Sequence, residues 1–71
     1  MKGYYFKVID LYTLKTEAEF YSKTIKAGYK YLNIKPLEYI RPLKYYRGYT
    51  DDGTAEITII KKEIPVKSYL I

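Results

Sequence analysis

Residues 4–13 read Tyr-Tyr-Phe-Lys-Val-Ile-Asp-Leu-Tyr-Thr, a run of aromatic and β-branched side chains broken by one lysine and one aspartate. That pattern predicts a strand. Its even positions (Tyr4, Phe6, Val8, Asp10, Tyr12) and its odd positions (Tyr5, Lys7, Ile9, Leu11) are both largely apolar. A strand of this kind belongs in the middle of a sheet or beneath a partner. The spacing then turns helical: Ala18, Tyr21 and Ile25 form one stripe, widened by Phe20 and Thr24. Thr16 and Glu19 have the spacing of a capping box, Lys23 and Lys26 suit the negative end of a helix dipole, and Gly28 suits a left-handed stop. An amphipathic helix is expected over about 17–27.

A short internal repeat follows, Ile34-Lys35-Pro36-Leu37-Glu38-Tyr39 and then Ile40-Arg41-Pro42-Leu43-Lys44-Tyr45. Proline cannot donate to a strand ladder, so 33–42 is expected to be a loop or an irregular edge. Residues 43–62 read as a hairpin around Asp51-Asp52-Gly53, with Gly53 left-handed and Thr50 opposite Thr54. In that register Leu43, Tyr45, Arg47 and Tyr49 point inward with Ala55, Ile57 and Ile59. Lys44, Tyr46 and Lys62 then look outward with Glu56, Thr58 and Ile60. Residues 64–71 are expected to form a last strand. The predicted fold class is α+β: a small antiparallel sheet in the order β-α-β-β-β packed on one helix, with 1–71 as a single compact domain.

Composition narrows the function. The chain has 71 residues, eleven of them tyrosine, and no histidine, cysteine or tryptophan. The side chains most used in catalysis and metal binding are missing, so the expectation is a non-enzymatic protein with no cofactor and no metal. Tyrosine offers a broad apolar face and a polar tip at low conformational cost, which suits contact surfaces. A chain this short buries only about 60% of the surface that it exposes when unfolded, so rings are left over for the exterior. No apolar run reaches the ~18 residues of a membrane span, and Lys7 and Asp10 interrupt any signal-peptide core. The expected location is cytoplasmic, away from membranes.

Individual motifs have plain explanations. Tyr31 and Lys35 match the tyrosine–lysine spacing of short-chain dehydrogenases, but the chain lacks the glycine fingerprint and the length of a dinucleotide fold. Asp51 and Asp52 precede a glycine in a hairpin signature, so turn chemistry accounts for both acids. The stretch Lys2-Gly3-Tyr4-Tyr5-Phe6-Lys7-Val8-Ile9 resembles an RNA-recognition strand motif at a few positions. It departs from that motif at Tyr5 and Lys7 and stands on the wrong strand.

The net charge is +5. Residues 29–50 hold six of the tyrosines together with Lys30, Lys35, Arg41, Lys44 and Arg47. Basic charge mixed with flat rings is the footprint of a nucleic-acid surface. The candidate binding residues are Lys35, Arg41, Lys44, Tyr46 and Lys62: cations for phosphates around one ring for stacking. The same tyrosine surplus suits a protein partner, and a second copy of the chain is a further candidate. In size and expected build, though in no motif, the chain is similar to some anti-CRISPR proteins. That resemblance implies a phage-type inhibitor or adaptor that binds a host or defence protein by contact alone.

Overall fold

The computed structural model describes residues 2–70, and among them a five-stranded antiparallel sheet carries one helix. The strands are β1 (Lys2–Asp10), β2 (Thr16–Ser22), β3 (Glu38–Ile40), β4 (Tyr45–Tyr49) and β5 (Ala55–Glu63), and the helix α1 is Ile25–Leu32. Their spatial order is β2-β1-β5-β4-β3. The α+β class and the antiparallel sheet are as expected, but the chain order is β-β-α-β-β-β because a strand occupies the start of the expected helix.

That strand is β2. Its residues alternate, with Phe20 and Ser22 buried and Glu17 and Glu19 exposed, so a period of two describes 16–22 better than a period of 3.6. Thr16 therefore lies in the ladder opposite Ile9 and caps nothing. The true N-cap is Thr24, whose hydroxyl accepts from the Ala27 amide at 3.1 Å. Lys26 consequently sits in the first turn of α1 and Lys30 in the last. The helix ends at Asn33, left-handed at φ 56°, and Gly28 lies in its interior. Gly28 is there for proximity: a Cβ at that position would fall 2.0 Å from Cζ of Phe6.

β1 is an interior strand, in line with its two apolar sides, and its even set faces the core. Phe6, Val8, Phe20, Ala55, Ile57 and Ile59 form that core, with the Phe6 and Phe20 rings stacked at 4.9 Å. Each of these larger side chains contributes about 1.5–3 kcal/mol by leaving water. α1 covers β1 and β2, while Ile34 and Leu37 from the following segment continue the layer, Leu37 resting on Gly48 of β4. The Tyr29 hydroxyl pins this segment by accepting from the Leu37 amide at 3.1 Å.

The 33–42 stretch is an irregular edge: a loop, the three-residue β3, and then a 3-10 turn at Arg41–Leu43 that takes Pro42. The β4–β5 hairpin forms with Gly53 left-handed at φ 71°, but its register is one residue away from expectation. Tyr46 pairs with Ile59 and Gly48 with Ile57, so Thr50 faces Ala55 across a four-residue connection. Asp52 fills that connection by accepting from the Thr50 and Thr54 hydroxyls at 2.7 and 2.8 Å, which holds its carboxyl below the usual range. After β5 there is no final strand within the described residues. A 3-10 turn at Val66–Ser68 leads the tail across β1, where Tyr69 lies against Gly3 and the Leu70 amide donates to the Tyr21 carbonyl at 2.9 Å. Ile71 lies outside the described residues.

Candidate nucleic-acid interface

The register slip redistributes the expected binding residues. Tyr46 points inward with Ile59, packs against the core and meets the Tyr39 ring at 4.8 Å. It is a wall of the interior, not an outward stacking platform. Lys62 is on the opposite, outer face of β5, with its ammonium 5.6 Å from the centroid of Tyr5. Arg41 begins the 3-10 turn, and Lys44 closes it in the left-handed region at φ 56°. Lys35 is exposed on the loop that follows α1. The five residues therefore do not make one patch: two lie at a sheet end, and one each on the outer face, in the core wall and in the helix layer.

A different group of cations is brought together. From Phe20 through Leu37 the chain contains no acidic residue, and Lys23, Lys26, Lys30 and Lys35 supply four of the five net positive charges. All four are exposed, and they flank or ride on α1. The inward side of the helix is Ile25, Gly28, Tyr29 and Leu32, which leaves Lys26 and Lys30 one turn apart on the solvent side. Tyr31 adds an exposed ring whose back leans on Phe20 at 4.8 Å. The signal in the sequence is the spacing of the acids, which leaves none between Glu19 and Glu38.

The outer face of the sheet has the opposite character. By alternation and register it carries Tyr5, Tyr21, Tyr45 and Tyr49 with Ile9, Ile40 and Ile60. Its charges are matched: Lys7 stands opposite Glu19, Glu38 opposite Arg47, and Arg47 forms a two-nitrogen ion pair with Glu56 at 2.7 and 2.9 Å. The Tyr5 hydroxyl donates to Glu19 at 2.5 Å, and that carboxylate, helped by burial, pushes the Tyr5 phenol up to about 12. None of the eleven tyrosines is buried.

The β1–β2 turn is a third feature, and sequence reading missed it by extending the first strand to residue 13. Asp10 receives the Tyr12 and Thr13 amides at 2.8 and 3.1 Å, which fixes the turn and lowers the Asp10 pKa. Tyr12 and Leu14 project from it at 84% and 76% exposure, with Leu14 at φ 61°. A β-carbon is disfavoured in that conformation by about 1–2 kcal/mol. No helix among the described residues is long and apolar enough to cross a membrane. Comparison with protein-family models, with curated proteins and with solved structures finds no match to this chain.

Proposed function

We propose that this protein is a small non-enzymatic module that binds nucleic acid through the lysine layer of α1 and its flanks. One observation carries the reading: the acid-free run between Glu19 and Glu38 gathers Lys23, Lys26, Lys30 and Lys35 in one layer, with Tyr31 exposed among them. Lys35 stays in the binding set that the sequence suggested, and Lys23, Lys26 and Lys30 take the place of Arg41, Lys44, Tyr46 and Lys62. Lysine ammoniums act as point charges toward phosphates and lack the fork with which arginine reads guanine. Binding is therefore expected to be electrostatic and tolerant of sequence.

If all four lysines each neutralise one phosphate, the log–log salt slope is about −3.6 on duplex DNA and about −2.8 on single strands. Lys26→Glu with Lys30→Glu removes two such contacts and should bring the duplex slope to about −1.8 or less, with the circular dichroism spectrum unchanged. A flat salt response in the parent protein, or a slope that the double variant leaves alone, rejects the reading.

A second reading is inhibition of a host or defence protein by contact, and the Tyr12–Leu14 projection favours it. Pull-down after nuclease treatment distinguishes the two. Recovery of one stoichiometric protein that Leu14→Gly releases would replace nucleic acid with a protein partner.

A further inference from the structure

We infer that the outer face of the sheet is a homodimer interface, closed by the same face of a second copy to make a two-sheet sandwich. The helix layer covers one side of the sheet; on the other side the tail crosses the Gly3 end of β1, where Tyr69 lies against Gly3, and the rest keeps Ile60 at 42% and Tyr49 at 51% exposure beside Tyr5, Tyr21, Tyr45 and Ile9. Its cations, Lys7, Arg47 and Lys62, are equal in number to its acids, Glu19, Glu38 and Glu56. A phosphate backbone laid there would meet three carboxylates, and a polyanion gains nothing from a face whose charges cancel.

A second copy fits for the same reason. A chain of net charge +5 repels itself on most approaches. The outer face is the neutral side, opposite the lysine layer. With sheets packed ~10 Å apart and a helix layer ~10 Å beyond each, two lysine layers in the sandwich stand ~30 Å from one another. That is several times the Debye length of ~8 Å at physiological salt, so the excess charges barely interact.

Five strands spaced ~4.8 Å and roughly six residues long give a face of at most about 500 Å² per copy, or about 1,000 Å² for the pair, with the tail over the Gly3 end forming part of the contact. This lies at the lower bound for a specific interface, so a dissociation constant in the micromolar range is expected. A sandwich of this kind turns its two lysine layers outward on opposite sides and would bridge two polyanion segments. That consequence, unlike the dimer, rests on the nucleic-acid reading.

Sedimentation equilibrium without nucleic acid tests the dimer, over ~5–500 µM protein at low and high salt. A monomer–dimer equilibrium that added salt leaves unchanged or tightens is the expected result, the reverse of the salt response of phosphate binding. Ile60→Glu should weaken association by ~30-fold or more, because a lone carboxylate would be enclosed. Lys30→Gln, on the far side, should leave it within about threefold. Tyr49→Lys, at an exposed ring, decides the matter if Ile60→Glu fails to fold. A chain that stays monomeric throughout, a dimer that salt dissociates, or a dimer indifferent to both outer-face variants overturns the inference. So does a monomer whose nucleic-acid affinity is lost with Ile60→Glu, since the face would then belong to nucleic acid.

Discussion

Replacing Gly28 with alanine sets two opposite effects against each other, and the structure says which prevails. In a helix interior alanine is favoured over glycine by about 1 kcal/mol. At this position, however, the new Cβ would stand 2.0 Å from Cζ and 2.3 Å from Cε1 of Phe6. Carbon atoms rest at about 3.5–4.0 Å, so ring and helix must part by roughly 1.5 Å. Phe6 is wholly buried and has Phe20 stacked behind it at 4.9 Å, so the ring has nowhere to retreat. Overpacking of that size costs about 3 kcal/mol, the upper end of the usual range, which leaves a net loss near 2 kcal/mol. For a domain of this size the midpoint of thermal unfolding should fall by about 8–16 °C. Urea or thermal unfolding followed by circular dichroism measures the loss directly. The same substitution in a Phe6→Leu background, where the ring is gone, should be neutral or stabilising, with a coupling of about 2 kcal/mol between the two sites. A Gly28→Ala protein that melts above the parent, or a coupling near zero, would show that the helix does not ride on this ring.

Two further outcomes follow from individual contacts. Tyr5 keeps its proton to about pH 12 in the folded protein, because its hydroxyl is held by Glu19, whereas an unfolded tyrosine loses it near pH 10. The stability from this bond is therefore complete below pH 10 and disappears between about pH 10 and 12. Tyr5→Phe should flatten the alkaline fall in unfolding free energy over that interval, and parallel curves for the two proteins would exclude the bond. Leu14→Gly removes a β-carbon from a left-handed residue that is already exposed, which should raise stability by a few tenths to about 1 kcal/mol after the added flexibility of the unfolded chain is counted. Chemical denaturation showing a loss instead would mean that the Leu14 side chain packs productively.

The class of fold could be read from the chain because β5 alternates over 55–59, β1 is apolar on both sides as an interior strand is, and the turn at Asp52-Gly53 uses familiar chemistry. The misplaced helix has a specific cause. Ala18, Tyr21 and Ile25 are spaced for a helix, and Ala18, Phe20 and Ser22 are spaced for a strand, over the same residues. Pairing with β1 decides between them, and a linear pattern contains no information about that neighbour. Gly28 looked like a stop because glycine at the end of an amphipathic stretch often is one, while Asn33 performs that role here. The loss of Tyr46 from the binding set follows from a single extra residue in the β4–β5 connection, since a slip of one exchanges the inward and outward side chains of β4 while β5 keeps its expected faces. Lys35 and the general richness in lysine were legible, but the separation of a charged layer from a balanced face was not. That separation exists only once β2 has been folded beneath the helix.

The position of Lys23, Lys26, Lys30 and Lys35 gives the molecule an electrical front and back. In a field, or near any negatively charged body, it should rotate before contact and arrive helix first. An anionic bead or sensor chip would thus grip most copies by the same side and leave the tyrosine-bearing sheet turned toward the solution.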